Sequence, residues 1–453
     1  MEAYAHKGVD FKFRGLNFRF ALSQGLFSSA DIDTGTRLLL KVLSNTWDED
    51  IAQGRPLPAS VLDAGSGVGV IGVCAGAAAL EARYPGAPPC QVRSQDRDEL
   101  ARVFTEYNAR QNGLSPARLS AYTEPLLAGP PGAAWDLILS NIPAKAGEPV
   151  LADFVSRSAA LLNARGRVLL VAVNPLADFF RARIQAASLP LCREETGKGH
   201  TVLAYGPPER RPALCPAPEG GKDLLSLIPA YLRRSGSYET EGVPYSLDTC
   251  YGAASFDSPG GAVLTAAKLL TRLGIKASPP GRSPVPALIH GEDQGHFPAW
   301  LIKRAAGEKP GAVFPFRPLV LSGRNILALE AGRHNALTAL GSLSGEGPGS
   351  RPEEAVLCRP ALDLSAPGNG FPALPEPAGG YPFIALFPEP VPQTDRLGSY
   401  WEGLNRLLSP GGLVLAGLSA SEAERFDRKK PKNFIRLGDI KRKGFRALAY
   451  RRS

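Results

Sequence analysis

The stretch DAGSGVGVIG, Asp63 to Gly72, closes the apolar run that starts VLDAG at Val61 and opens a helical pattern. A strand end, a glycine turn and a helix start in that order let a backbone approach a ligand closely, because glycine carries no Cβ to hold it off. To either side, apolar β-rich runs alternate with helical patterns, and VLDAG, CQVRSQD, WDLILSN and RVLLVAV read as strands. Such alternation predicts an α/β domain with a mostly parallel sheet and helices on both faces, binding ligands beyond the carboxyl ends of the strands. Asp63, Asp96 and Asn141 all fall at predicted strand ends, so one crevice can hold all three.

Gly67, Gly69 and Gly72 also satisfy the G-x-G-x-x-G dinucleotide pattern, which makes a dehydrogenase the first alternative. Asp63 argues against it, since a carboxylate ahead of the glycines suits a cationic amino-acid moiety better than a pyrophosphate. S-adenosylmethionine has such a moiety and no phosphate. Downstream, DRDELARVFTEYNARQNG sets Ala101, Asn108, Asn112 and Gly113 behind Asp96, an acid able to accept from both hydroxyls of a ribose. Asp96 also suits the N-cap of the following helix, and that alternative stands beside the ligand reading.

The chain has 453 residues, 44% apolar and 21% charged, which suits two globular domains of roughly 200 residues each. No run of about 18 uncharged apolar residues is present to cross a bilayer, and MEAYAHKGVDFKFRG lacks the apolar core of a signal peptide. A cytoplasmic protein is expected. The six cysteines, Cys74, Cys90, Cys192, Cys215, Cys250 and Cys358, form no C-x-x-C pair, which argues for buried thiols over a zinc site or disulfide framework.

The two halves repeat one plan. WDLIL (135–139) and LLNARGRVLL (161–170) recur as YPFIA from Tyr381 and LLSPGGLVLA from Leu407, at a constant offset of 246. VLDAG, Asp96 and Asn108 correspond to LIHGE from Leu288, Gly323 and Asn335, at an offset of 227, and GSLSGEGPGSRPEE supplies part of the difference. KGHTVLAYG at Lys198 pairs with KGFRALAYR at Lys443. A domain-sized period indicates tandem duplication and excludes a solenoid of short repeats. The Pro-rich stretch PPERRPALCPAPEGG, Pro207 to Gly221, reads as a linker. The expected division is residues 1–206, a connecting segment 207–244, and residues 245–453.

Ahead of the cofactor strand stands QGLFSSADIDTGTRLLL, Gln24 to Leu40. With the glycine turn, Asp96 and Asn141, it resembles class I S-adenosylmethionine-dependent methyltransferases, and among them the tandem-duplicated ribosomal RNA small-subunit guanine-N2 methyltransferases. The resemblance covers roughly residues 18–206 and, weakened, residues 245–453. It implies two tandem Rossmann-like domains. It also implies that Gly65, Gly67 and Gly69 line the methionine part of the cofactor, that Asp96 holds the ribose, and that residues near Thr123 flank the adenine.

In that family the loop after the fourth strand reads Asn-Pro-Pro-Phe-His-x-Gly; here it is Asn141, Ile142, Pro143, Ala144, Lys145, Ala146 and Gly147. The Asn141 oxygen and the next carbonyl can accept from a planar amine and aim its lone pair at the methyl group, so Asn141, which also borders the cofactor, and Pro143 are the expected catalytic positions. Lys145 is an expected substrate contact. Ala144 lacks a ring to stack on an extruded base, an interaction worth about 1–3 kcal/mol. The plainer alternative is an asparagine ending a strand before a proline turn.

The second half departs from this chemistry: Asp63, Asp96 and Asn141 correspond to His290, Gly323 and Phe387, and Glu292, Gln294 and His296 stand for Gly65, Gly67 and Gly69. A degenerate copy without cofactor is expected; a metal site at His290 and His296 is the weaker alternative, lacking ligands on adjoining elements. The net charge of +9 is concentrated at the end, where twelve Lys or Arg face two Asp from Arg425 onward. That excess favours a polyanion, with Arg428, Lys429, Lys430 and Lys432 as candidate RNA contacts, or else is a solvated terminal strand. The reading is therefore a methyltransferase acting on an exocyclic base amine of ribosomal RNA or a ribosomal subunit. The alternatives are a methyltransferase for a protein side chain or small molecule, and a non-catalytic RNA-binding or assembly protein with a retained pocket.

Overall fold

The structure, a computed structural model, describes residues 2–77, 89–128, 134–209, 229–254, 257–274, 284–291, 293–307, 314–342, 354–365, 374–389, 391–392 and 394–453. Cys215, Glu292, most of the linker and most of the Gly/Ser-rich insertion lie outside them. Two compact units divide near residue 220.

The first unit opens on a hairpin of β1 (Lys7–Phe13) and β2 (Leu16–Leu22). Its turn residues Arg14 and Gly15 both have positive φ, 47° and 82°, the turn whose twist matches paired strands. Helix α1 (Thr34–Ala52) follows, capped by Asp33, whose side chain accepts from Thr36 N–H; such caps contribute about 1 kcal/mol. Its apolar face, including Leu39, Leu43 and Trp47, is buried.

The sheet then forms from β3 (Ser60–Ala64), β4 (Gln91–Asp96), β5 (Leu119–Thr123), β6 (Trp135–Asn141), β7 (Leu162–Val173), β8 (Leu191–Thr196) and β9 (His200–Tyr205). Their order is β5-β4-β3-β6-β7-β9-β8. The first five are parallel, and β9 runs antiparallel between β7 and β8. Helices α2 (Val70–Gly76), α3 (Glu99–Gln111), α4 (Glu148–Ala160) and α5 (Ala177–Ala186) make the crossovers that parallel strands require. The carboxyl ends of β4, β3 and β6 therefore lie side by side, with Asp96, Asp63 and Asn141 on them. Cys192, expected to be buried, is exposed: it lies on edge strand β8, which has no neighbour beyond it in the sheet. Cys74, Cys90 and Cys250 are buried and Cys358 is partly so.

The second unit repeats the plan. Its hairpin, β10 (Leu232–Thr240) with β11 (Val243–Cys250), turns at Glu241 and Gly242 with φ of 49° and 76°, again at an offset of 227. Strand β10 thus starts inside the segment read as a connector; its register is set by that turn and not by strong apolar alternation. Strands β12 (Val285–His290), β13 (Phe316–Gly323), β14 (Val356–Pro360), β15 (Tyr381–Leu386), β16 (Leu408–Ser419), β17 (Phe434–Arg442) and β18 (Phe445–Arg452) order as β14-β13-β12-β15-β16-β18-β17, the same topology. Helices α6 (Gly261–Leu273), α7 (His296–Gly307), α8 (Ile326–Gly341), α9 (Leu397–Leu407) and α10 (Ala420–Arg428) accompany them. Two apolar clusters fill this unit, one around Trp300, Phe297 and Leu269, the other around Trp401, Phe426 and Tyr450.

One buried asparagine serves each half alike. Asn108 accepts from Ala21 N–H and donates to Ala21 O and Val68 O, at 2.8–3.1 Å; Asn335 accepts from Asp248 N–H and donates to Asp248 O and Gln294 O, at 2.8–2.9 Å. Each ties its hairpin to the turn after the first sheet strand, and the buried amide is satisfied by doing so.

Candidate active site

The glycine turn joins β3 to α2 through three residues with positive φ: Gly65 at 86°, Gly67 at 55° and Gly69 at 87°. A Cβ on Gly69 would lie 2.9 Å from the Thr105 backbone, so that glycine is needed for packing against α3. A Cβ on Gly67 would meet nothing within 4 Å, and one on Gly65 only Leu126 at 3.4 Å. Those two positions border open space at the strand ends, where a ligand can come against bare backbone.

Asp96 closes one side. Its Oδ2 accepts from Gly67 N–H and its Oδ1 from Asp98 N–H, both at 3.0 Å, which leaves each oxygen with a further lone pair for a diol. Burial and the neighbouring Asp98 raise its pKa, while the two amides act against the shift. The helix cap is Asp98, which accepts from Leu100 N–H, so Asp96 is not the N-cap. Thr123 ends β5, but its hydroxyl donates to the buried Glu99, itself held by Arg102. Leu126, absent from the sequence reading, lies over Gly65 because Gln95 Nε2 holds the carbonyls of Pro125 and Leu126.

Asp63 differs from its expected part. It is fully buried, and its Oδ2 accepts from Gly72 N–H at 3.0 Å and Ser94 Oγ at 3.3 Å. The structure gives this carboxylate to the turn, where the sequence reading gives it to the cationic end of a ligand. Its Oδ1 has no hydrogen-bond partner among the described residues, and burial pushes its pKa up to about 7. Its folded pKa stands above the unfolded value of about 4, so the neutral acid stabilises the fold below pH 4 and that contribution is lost as pH rises toward 7. Asp63→Asn should remove this slope. Thermal melts at fixed ionic strength between pH 4 and 7 check it; equal slopes for both proteins would refute the assignment.

At the end of β6, Asn141 donates from Nδ2 to Asp33 Oδ2 at 2.8 Å and to Thr36 Oγ1 at 3.0 Å. Pro143, Ala144 and Lys145 are exposed, and Ala144–Ala146 form a single 3-10 turn before α4. Asp33 and Thr36 escaped the sequence reading as site residues, although DIDTGT was singled out. In the same element Phe27 is 69% exposed, the most exposed large apolar side chain among the described residues.

The corresponding positions of the second half are filled from within. Gln294, at φ 68°, is buried and bonds Cys250 N–H and Ala254 O; His296 is buried between Tyr238 and Tyr245, with ring centroids 4.8 and 6.0 Å away. A Cβ on Gly291 would lie 1.6 Å from Phe387 O, and the Phe387 ring packs on Phe297 at 5.0 Å. His290 bonds Ser322 through Nδ1, and its burial lowers its pKa to about 4. Among the described residues no group of three His, Cys, Asp or Glu is placed to hold a metal, and no helix is long and apolar enough to cross a membrane.

In the tail, Lys429 pairs with Asp395 at 2.7 Å and Lys430 donates to the carbonyls of Pro431 and Phe434. Arg428 and Lys432 are exposed and have no acidic partner among the described residues.

Sheet order, glycine turn and strand-end acid together are those of a class I methyltransferase domain, the fold that takes S-adenosyl-L-methionine. Residues 17–182 match the model of the methyltransferase small domain. Over 162 residues, 36% of this chain and 71% of the relative, the sequence is 28% identical to YbxB, an uncharacterized protein of Bacillus subtilis (strain 168). A T. thermophilus 16S rRNA N2 methyltransferase, RsmC, solved in complex with AdoMet and guanosine, is similar over 100% of this chain and 99% of its own. The identity is 17% and the TM-score 0.56, a likeness of fold. The open backbone at Gly65 and Gly67 and the spare lone pairs of Asp96 suit the methionine and ribose parts of the cofactor.

Proposed function

We propose that this protein methylates an exocyclic amino group of a base in ribosomal RNA, using its first half for catalysis and its second for holding the RNA. The observation that carries this reading is Asn141, whose amide hydrogens are both engaged by the chain, which leaves its oxygen as the group to accept from a substrate. Bound S-adenosylmethionine supplies a methyl group on a sulfonium that loses its charge on transfer, so alignment matters more than a strong base. Gly65 and Gly67 would hold the methionine part and Asp96 the ribose. Asn141 accepts from the amine and turns its lone pair inward, and Pro143 shapes the loop that carries Lys145 toward the substrate. RNA as the target is supported by the likeness across both halves to an enzyme acting on 16S rRNA and by the excess of twelve cations over two acids after residue 424.

A protein side chain or small molecule is the second reading, favoured by Ala144, which offers no ring to an extruded base. Radiolabelled cofactor with ribosomal subunits and with total protein separates the two: label in RNA supports the first, label only in protein overturns it. Calorimetry on the whole chain should give one cofactor per molecule, because the second half fills the equivalent positions with Gln294, His296 and Phe387. A stoichiometry of two would contradict that.

The tail makes a graded prediction. Neutralising Arg428 and Lys432 should weaken RNA binding and reduce the log–log salt slope by about 1.5, each lost phosphate contact removing roughly 0.7–0.9. Lys429 and Lys430 should matter less to RNA, since an acid and two carbonyls already engage them. An unchanged affinity and slope in the Arg428/Lys432 double variant would make the tail a solvated edge of the fold.

A further inference from the structure

We infer that Asp33 and Thr36 are positioning residues that fix which way the Asn141 amide faces, leaving Oδ1 as its acceptor for the amine to be methylated. The inference rests on the role of Asn141 proposed above. A carboxamide presents an NH2 edge and an oxygen edge that differ only in hydrogens, and the two orientations occupy the same volume. Asp33 decides between them by chemistry, because an ionised carboxylate has no hydrogen to give. With Asp33 Oδ2 at 2.8 Å, the nearer Asn141 atom must be the donor Nδ2. Thr36 Oγ1, at 3.0 Å, takes the second hydrogen. Reversal would set Oδ1 against a carboxylate oxygen and turn the NH2 toward the incoming amine, donor facing donor.

The holding side is itself held. Asp33 Oδ2 also accepts from Thr36 N–H at 3.0 Å, so cap, helix start and amide share one oxygen. Thr36 is 8% exposed. At Gly35 a Cβ would lie 2.8 Å from both Asp33 Oδ2 and the His200 ring, so the turn closes tightly around the carboxylate. The second half offers an internal comparison. At the offsets of 227 and 246, Asp33, Thr36 and Asn141 become Gly260, Val263 and Phe387. All three polar groups are absent together, and Val263 and Phe387 are buried in one apolar cluster. Had Asp33 and Thr36 served only to start a helix, their replacement need not have accompanied that of Asn141, since α6 still begins at Gly261 on a Gly260 cap.

Asp33→Ala removes both the cap and the amide contact, so Asp33→Ser is the sharper variant: its hydroxyl can still cap the helix but is one bond too short to reach Asn141 as before. Thr36→Val removes the second acceptor at constant shape. Asp33→Ser should keep cofactor affinity and melting temperature near wild type while lowering kcat on the order of tenfold to a hundredfold. Thr36→Val should do the same to a smaller degree. Two readouts do not depend on helix stability. The Asn141 side-chain NH2 resonances, assigned in a 15N spectrum by their loss in Asn141→Ala, should shift and exchange faster with solvent in Asp33→Ser. In addition, Asp33→Ser placed on Asn141→Ala should cause no further loss of kcat, because a group acting through Asn141 has nothing left to orient. Additive losses, or NH2 resonances unmoved by Asp33→Ser, would overturn the inference. Full activity in Asn141→Ala would remove the proposed role of Asn141 itself, a failure distinguishable from either.

Discussion

Asn141→Ala is expected to lower methyl transfer by roughly a hundredfold or more, about 2.7 kcal/mol at the barrier, while leaving cofactor affinity nearly intact. The amide ends β6 with its NH2 bound to Asp33 and Thr36. In the proposed role its interaction with the amine strengthens as the lone pair is turned toward the methyl group, so the loss should appear in kcat and not in the binding of either ligand alone. The substitution also takes one donor from Asp33 Oδ2, but that oxygen keeps Thr36 N–H, and Asp33 is only partly buried. Single-turnover rates with saturating cofactor, beside calorimetry on the same variant, make the measurement. If the variant retained full activity, the loop from Asn141 to Gly147 would be only a turn and the amine would be held elsewhere.

The second large effect is expected at Asp96. Asp96→Ala should weaken S-adenosylmethionine binding by roughly 1.5–3 kcal/mol, the range for hydrogen bonds to a charged group, or about 10- to 150-fold in Kd. Two contributions are joined there. On the proposed role the carboxylate offers its free lone pairs to the ribose, and it also fixes Gly67 N–H, hence the path of the turn. Asp96→Asn separates them: it keeps an acceptor for one backbone amide and should lose less than alanine does. Equal losses in the two variants would assign the effect to charge. No loss in either would place the ribose away from β4.

Much of this arrangement could be read from local pattern. The glycine turn after VLDAG, the alternation of strands and helices and the two constant offsets led to tandem doubly wound domains, because each signal lies within one strand, one turn or one helix. Asn108 and Asn335 were legible only as a matched pair; their work of tying each hairpin to its turn spans up to 87 residues. The connector was read too long because β10, LRRSGSYET, has a weak apolar alternation and is defined by its partner β11.

Site chemistry divides along the same line. Residue types at strand ends marked Asp63, Asp96 and Asn141 as candidates, but which way each side chain faces depends on neighbours distant in sequence. Asp63 is enclosed by Gly72 and Ser94. Thr123 is engaged by Glu99 and Lys429 by Asp395. None of these pairings leaves a periodic trace.

The sequence by itself determined the class of fold, its duplication and the half that keeps the glycines, since propensity, turn chemistry and apolar period act over a few residues. Tertiary structure decided the rest. The order β4-β3-β6 sets three strand ends together, and the approach of α1 brings Asp33 to an asparagine 108 residues away. In the second half the same approach brings Val263 and Phe387 into one apolar core. Whether a polar side chain becomes a site or a brace is settled by the hydrogen bonds that chain crossover makes available, and these are fixed only when the layers pack.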